Sequence, residues 1–320
     1  MIEFKLIKTT QLSKIDFENI KSLFAITFKK ERSIEEFLSI YTGNPYGYSY
    51  HAIASDKNTI IGHIVFIPFD YSINRVSFIT CLSVDAMVHP EYRGKGIYGK
   101  LTKECEAFAF SKGVKLRMGI PNDNSYPIQI KSLKYCDLGA INTYFLPLKP
   151  SAVNKRFSFL NPFASFLSKF LISLSKIPKN KKIVDFPIKK DIISFNDTRY
   201  NWFDGNYVKK EKNKVFFIYK NGEFKGIKAT FLLDVFPLSK FNFDLAVREI
   251  YKDIKNHSPF LIYVGNLPFK PLSLIKIPHR IEPKRFNFVV KVLDSNFFRD
   301  KIDIYNIKNW NLNLSNFDLI

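Results

Sequence analysis

Apolar and polar residues alternate from Ile2 to Ile7, and this two-residue period predicts an opening strand. From Leu12 to Tyr41 the period lengthens to that of a helix, with Ser33 standing before Glu35 and Glu36 as an N-cap. Asn44–Tyr50 (NPYGYSY) is turn-rich and aromatic, and His51–Ser55, Thr59–Phe69 and Arg75–Val88 then read as successive strands. Behind a glycine-rich loop, Ile97, Leu101, Cys105 and Phe108 share one helical face. A strand at Val114–Ile120, a capped helix within PNDNSYPIQIKSLKY (121–135) and a strand over Ala140–Leu148 complete the first half. Alternating strands and helices of this kind predict an α/β fold with a mixed sheet.

The pattern breaks at Lys149-Pro150. Within Phe157–Ile177, Phe163, Phe166, Leu167, Phe170, Leu171, Leu174 and Ile177 form a helical stripe opposite Ser165, Lys169, Ser173 and Lys176. Arg156 and the PKNKK run at 178–182 flank it with positive charge. Asn161, Pro162 and the polar face argue against a spanning helix. Two readings fit: a linker that docks two domains together, or an in-plane anchor that gives 156–182 a peripheral contact with an anionic membrane.

Strand and helix periods resume beyond it, without the glycines. RYNWF (Arg199–Phe203) comes first, followed by strands at Val215–Tyr219 and Gly226–Leu233 and a helix over Asp244–Lys255. A strand at Phe260–Gly265, two further strands within 271–294 and a closing WNLNLSNFDLI (310–320) follow. The expected organisation is therefore a domain at 1–149, an amphipathic basic linker helix at 150–185, and a second domain at 186–320.

Composition adjusts this picture in three places. Lysine and arginine exceed aspartate and glutamate by 49 − 29 = 20, so anionic ligands, lipid or nucleic acid are natural partners. Lys, Ile, Asn and Phe are all abundant, as AT-rich codon usage produces, so the charge alone assigns no nucleic-acid role, and nucleic acid is not the expected partner. Cys81, Cys105 and Cys136 stand singly without CxxC spacing, which predicts reduced thiols and a cytoplasmic protein. The five histidines are scattered with no metal-ligand spacing, so no metal is expected.

The segment Met87–Leu101 (MVHPEYRGKGIYGKL) carries the most chemistry. A strand ends near His89-Pro90, and Arg93, Gly94, Lys95, Gly96 and Gly99 form a loop that opens a helix. Such a loop aims backbone N–H groups and a helix N-terminus at a phosphate. GKGIYG matches the dinucleotide pattern GxGxxG formally, but five residues, His89–Arg93, separate strand from first glycine. No Gly-Lys-Ser/Thr follows, which removes a Walker A reading.

Val88, Pro90, Arg93, Gly94, Gly96 and Ile97 resemble, position by position, the acyl-CoA signature of the GNAT superfamily of N-acetyltransferases. The chain departs from that signature at Tyr98, where the family commonly has Gly or Ala, and Gly99 comes one place late. NDNSYPIQIKSLKY resembles the family's second signature, with Asn124 in the role of the helix-opening Asn and Leu133–Tyr135 as its ending. The mid-helix Tyr that protonates the CoA thiolate in many members has no counterpart at Ile130 or Lys131; Tyr126, Ser125 or water are the substitutes. NPYG, GIPNDNSY, RYNW and the closing segment resemble a bacterial subgroup that joins a GNAT domain to a degenerate second one, often in surface-polysaccharide synthesis.

The resemblance implies two tandem GNAT-like domains of the acyl-CoA transferase fold. It implies acetyl-CoA held by Met87, Val88, Arg93, Gly94, Lys95, Gly96, Ile97, Tyr98, Gly99 and Asn124, with the backbone of Met87 and Val88 pairing with the pantetheine arm. The acetyl group would pass directly to an amine, on an amino sugar or a nucleotide- or lipid-linked sugar, in the cytoplasm or at the inner membrane face. Strand alternation puts Cys81, Ser83, Asp85, Met87 and His89 on one face, which makes Asp85 the first candidate base. A structural hydrogen-bonding role for Asp85 fits equally, and His63 is a weaker base. Ser83 and Cys105 are not read as nucleophiles, and Glu35, Glu36, Glu104 and Glu106 read as solvated helix charges. The second domain lacks an Arg-Gly-x-Gly loop, so it is expected to close the acceptor cleft rather than bind CoA. A Fem-type aminoacyltransferase and a non-catalytic membrane- or nucleic-acid-binding module are the alternatives.

Overall fold

The computed structural model describes residues 2–176, 181–202, 206–224, 227–282 and 285–317. Ile177 and 178–180 of the linker stripe, Phe203, Gly226, 283–284 and the last three residues of the closing segment lie outside them. In chain order the strands are β1 (Glu3–Lys8), β2 (Tyr50–Asp56), β3 (Thr59–Ile73), β4 (Val76–Val88), β5 (Val114–Gly119), β6 (Cys136–Ile141) and β7 (Thr143–Pro147). Then come β8 (Ile188–Lys190), β9 (Val208–Lys212), β10 (Val215–Phe224), β11 (Ile227–Phe236), β12 (Phe260–Val264), β13 (Ile275–Lys276) and β14 (Phe286–Val292). The helices are α1 (Lys14–Phe28), α2 (Ile34–Thr42), α3 (Ile97–Ser111), α4 (Asn161–Leu174), α5 (Ile192–Thr198), α6 (Lys240–Ile254) and α7 (Ser295–Phe298).

These elements form two compact units that do not follow the boundaries expected at 149 and 185. Residues 1–139, 187–205 and 287–309 make the first, and 140–186, 206–286 and 310–320 the second. The reason lies in strand pairing, which is non-local. β14 pairs antiparallel with β5, Val290 opposite Met118, and so belongs to the first unit's sheet. The strand expected at Ala140–Leu148 is two strands on different sheets: β6 ends the first sheet, and β7 pairs with β12, Tyr144 opposite Tyr263, in the second.

In the first unit the sheet runs β1-β2-β3-β4-β5-β14-β6, with β8 beside β3. The single helical stretch expected over Leu12–Tyr41 is two helices. Ser13 and Ser33 each cap one, with Asp16 and Glu36 closing a capping box, and Lys29 ends α1 in a left-handed turn at φ 57. β3 alternates between two helical layers. Ile64 and Phe66 pack in one cluster with Ile97, Leu101 and Cys105 of α3, while His63 faces Tyr41 of α2 across 6.2 Å between ring centroids. RYNW reaches the residue just before NPYG here: the Trp202 indole N–H donates to the Gly43 carbonyl at 2.8 Å.

The second unit's sheet runs β13-β7-β12-β11-β10-β9. Its core gathers Phe243, Ala246, Val247 and Ile250 of α6 against Phe217, Leu232 and Leu261. β11 and β12 are parallel and joined through α6, as β4 and β5 are joined through α3. α4 packs on this unit through a face rotated to one flank of its sequence stripe. Ala164, Ser168 and Ile172 are buried, whereas Phe163, Phe166 and Phe170 are exposed. Small residues on the inner face let the helix lie on β7, and Leu171 alone of the upper stripe packs at the core edge.

Candidate functional site

The site begins where β4 parts from β5. The two strands pair in parallel from Ile79 opposite Val114 to Leu82 opposite Met118, and then the pairing ends. β4 runs on to Val88 bound to β3 alone, so its β5-facing edge is open over 83–88. A bulge sits within this stretch. Val65 pairs with Val84 and His63 with Met87, so the one residue Ile64 spans Asp85 and Ala86, and Asp85 takes φ 46.

The bulge overturns the expected alternation. Cys81 packs under α3, but Asp85 reaches the α1–α2 side, because an extra residue shifts every later side chain to the other face. There Asp85 is half-buried, with its side chain shielded and engaged. Arg32 Nη1 donates to both its oxygens, at 3.0 and 2.8 Å, and the Tyr41 hydroxyl donates to Oδ2 at 2.8 Å. Arg32 also lies over the rings of Phe24 and Phe37, which hold its guanidinium in place. No spacing in the sequence joins Arg32 to Asp85; the tertiary fold makes that pair.

Behind Asp85, His51 and His63 stack and share a hydrogen bond of 3.0 Å between Nδ1 and Nε2, and Thr9 Oγ1 lies 2.9 Å from the far nitrogen of His51. Histidines that look scattered in sequence thus form a fully buried pair. Burial lowers the His63 pKa to about 3, and burial followed by the neighbouring imidazole pushes His51 well down, so both rings are neutral at working pH. His63 Nδ1 is buried without a hydrogen-bond partner. A base with so low a pKa is weak, which leaves His63 the lesser candidate here too.

The loop after β4 turns through a short 3-10 turn, Pro90–Tyr92, with His89 at its cap. Gly94 and Gly96 take φ 78 and 75, a region that L side chains avoid, and a Cβ on Gly94, Gly96 or Gly99 would meet no atom within 4 Å. The space above the loop is open. α3 starts directly behind Gly96 with no side-chain cap, so its first amides are left for a ligand. Ile97 is buried beneath the helix, and Gly62 on β3 makes room for it: a Cβ there would stand 2.9 Å from Ile97 and Leu101. Lys95 is exposed with its ammonium 4.7 Å from the Tyr92 ring centre. Arg93 Nε folds back and donates to the Val88 carbonyl at 3.2 Å, which leaves that oxygen's second lone pair for another donor. Met87 is buried opposite His63.

Tyr98 points away from the loop. Its hydroxyl accepts from the Gln129 amide at 3.0 Å, and its ring packs with Leu133 and Tyr135. The capping role expected of Asn124 belongs to Asn122, whose Oδ1 accepts from the backbone N–H of Asn124 at 3.1 Å and of Ser125 at 2.9 Å. Asn124 itself is exposed, and Ser125 Oγ turns back to the Asn122 carbonyl at 3.3 Å. The PND run carried that signal, since an Asn two residues before a turn is an Asx cap as readily as the next one. Tyr126 donates to Asp137, a bond that raises its pKa, and Asn287 donates to the same carboxylate at 2.9 Å. Tyr126 packs in the cluster of Leu133 and Val289, so the structure does not bring it to Asp85.

Under α3 lies a charged cluster the sequence reading placed in solvent. Glu106 is buried, and it accepts from Arg117 Nη1 at 3.2 Å and from Lys291 Nζ at 2.8 Å, with the Tyr135 hydroxyl between. Burial works against the charge on Arg117, but Tyr135, Tyr98 and Glu106 more than offset it and its pKa is raised. Burial pushes the thiols of Cys81 and Cys105 up, so neither is a nucleophile. Among the described residues no group of three or more His, Cys, Asp or Glu side chains is placed to hold a metal.

Residues 17–127, which contain the bulge, the open edge and the glycine loop, match the family model of the GNAT acetyltransferases. No curated protein sequence matches the chain. Among solved structures, a conserved protein of Enterococcus faecalis is similar at TM-score 0.58 and 13% identity, over 93% of this chain and 75% of its own. A GCN5-related N-acetyltransferase of Kribbella flavida is similar at 0.56 and 11%, over 92% and 72%, and one of Anabaena variabilis at 0.55 and 11%, over 92% and 74%. At such identities the likeness is one of fold. The chain has the fold of the GNAT N-acetyltransferases, and its first unit carries their sequence signature.

Proposed function

We propose that the first unit binds acetyl-CoA and transfers its acetyl group to an amine. The observation that carries this reading is the open β4 edge running into Gly94–Gly96 and an uncapped α3. Backbone amides and the helix dipole there suit a pyrophosphate, and an unpaired strand edge suits an extended pantetheine arm. Acetyl-CoA would supply the acyl group as a thioester, and the amine would attack it directly with no covalent enzyme intermediate. Asp85 is the only carboxylate on the open stretch of β4. The reading assigns it to the acceptor amine: it orients the ammonium, and takes the proton as its bonds to Arg32 and Tyr41 loosen. The thiolate then draws a proton from water, since Tyr126 is held by Asp137 and Ser125 by the Asn122 turn.

The acceptor in this reading is an amino sugar or sugar nucleotide, and the excess of positive charge favours the nucleotide- or phosphate-linked form. The same reading puts the reaction in the cytoplasm and makes the second unit a degenerate copy of the first. The parallel β11–α6–β12 crossover supports that, as does a register shift that sets Asp234 beside a bulge on β11.

Isothermal titration with acetyl-CoA tests the first step, with micromolar binding expected; no heat at that concentration overturns the reading. Release of free thiol against a panel of amines tests the second, with turnover expected on amino-sugar phosphates. Turnover on peptide amines alone would remove the sugar assignment. Asp85→Asn should keep acetyl-CoA binding and lose turnover by about a hundredfold or more, within the usual range for a general base. Unchanged turnover would end its assignment.

A further inference from the structure

The strongest feature outside the site is the outer face of α4. Phe159, Phe163, Phe166 and Phe170 are 73%, 66%, 71% and 52% exposed, and the last three fall on one side of the helix. A folded surface rarely leaves so many large apolar groups together in water without a partner. Charge identifies the partner. Between Asp137 and Asp185 the chain has no acidic residue and eight basic ones, among them Lys155, Arg156, Lys169 and Lys176, all exposed.

We propose that this face docks in the plane of an anionic phospholipid bilayer. The phenyl rings would enter the headgroup boundary, while the lysine and arginine heads reach the lipid phosphates. A second copy of the chain is a poorer occupant. A two-fold contact sets the same patch against itself, and this patch would bring basic groups together with no carboxylate to separate them. A spanning helix is also a poorer reading. Lys155–Leu174 is the one helical stretch among the described residues long and apolar enough to cross a membrane, yet Ala164, Ser168 and Ile172 are buried on the second unit and Ile172 belongs to its core. Crossing would strip that face from its own core, whereas lying flat leaves it in place. The inference rests on α4 and the residues that flank it, and does not depend on the acyltransferase reading.

Flotation of the full chain with lipid vesicles tests it. Vesicles of two parts phosphatidylcholine to one part phosphatidylglycerol should carry the protein upward at low salt, and pure phosphatidylcholine should carry much less. Phe163→Ser, Phe166→Ser and Phe170→Ser combined should weaken binding at least about tenfold, with thermal melting and acetyl-CoA titration unchanged. Lys169→Gln with Lys176→Gln should weaken binding to the anionic vesicles about tenfold and leave binding to neutral ones alone. Equal flotation of the triple variant overturns the proposal, and so does a wild-type chain that floats with neither vesicle. A wild-type dimer in solution that the triple variant turns into monomer, without vesicle binding, assigns the face to a contact between copies and also overturns it.

Discussion

Two helices of this chain, α3 and α6, stand in the same local setting and differ at their N-termini. Each joins two parallel strands, and each follows a strand whose register shifts near an aspartate, Asp85 on β4 and Asp234 on β11. Before α3 stand the eight residues His89–Gly96, with glycines at positive φ and no cap. Before α6 stand only Pro237–Ser239, and the Ser239 side chain accepts from the Asn242 N–H. The strands part above both helices, yet only β4 leaves its edge open. Beside β11 the chain's own end fills the gap: Asn313 bridges to Gly265 and donates to Asp234 at 3.0 Å, and Ser315 lies 3.5 Å from the same carboxylate. A helix N-terminus becomes an anion site when nothing local satisfies it and nothing covers it, and α3 meets both conditions while α6 meets neither.

The inner faces of the two helices differ as well, and this gives the largest expected effect. Glu106 of α3 accepts from two cations, while Asp244 of α6, among the described residues, accepts from the Leu272 and Ser273 N–H groups and the Ser273 hydroxyl. Glu106→Gln leaves the Arg117 guanidinium buried without an anion and should cost about 3–5 kcal/mol in urea denaturation. Asp244→Asn should cost about 1–3 kcal/mol, because its hydrogen-bond donors are neutral and Lys240 and Arg248 act on it only at a distance. Equal losses would mean that the two carboxylates do the same work.

Acid should separate the units next. The buried His51–His63 pair belongs to the first unit, while in the second His257 is exposed and His279 faces Glu282. The native His63 pKa of about 3 lies below its ordinary 6.5, so the unfolded chain binds more protons between those values and stability falls as pH drops through that window. At pH 5 the loss is about 2 kcal/mol for His63, and His51, shifted the same way, adds to it. Hydrogen exchange at that pH should open β2 and β3 before β11 and β12; the reverse order would contradict the buried neutral pair.

A smaller effect is expected at the loop itself. Gly99 lies in the first turn of α3 with open space around it and no positive φ. Gly99→Glu should favour the helix, because a first-turn carboxylate suits the dipole, yet weaken acetyl-CoA binding about a hundredfold by facing its phosphates. Higher melting with unchanged binding would move the ligand elsewhere. Smallest is Ser239→Ala, which removes the cap of α6 and should cost about 1 kcal/mol. Titration of that variant should still give one acetyl-CoA per chain. A second site would show that the cap alone separates α6 from α3.

Much of the fold was legible because its signals are local. Serine before carboxylates at Ser33, alternation in β1 and β2, and glycines before an amphipathic run all work within a few residues, whereas the cap at Ser13 was missed. The loop at Arg93–Gly99 was legible for the same reason. The Asp85 partners were not: Arg32 lies 53 residues away and Tyr41 44, and a bulge that no residue type announces turned the side chain toward them. Glu106 looks like any solvated helix carboxylate until Arg117 and Lys291, the latter 185 residues on, arrive beneath it.

The sequence by itself determined the strands from β1 to β5 and the helix α3, and that a loop built for phosphate follows β4, because periodicity and glycine-rich turns act over a few residues of chain. Tertiary structure decided which strands share a sheet, how the chain is dealt between two units, which face of α4 meets the core and whether Asp85 stands free. Those outcomes turn on pairings between residues far apart in sequence. A one-residue shift in register is enough to reverse a face.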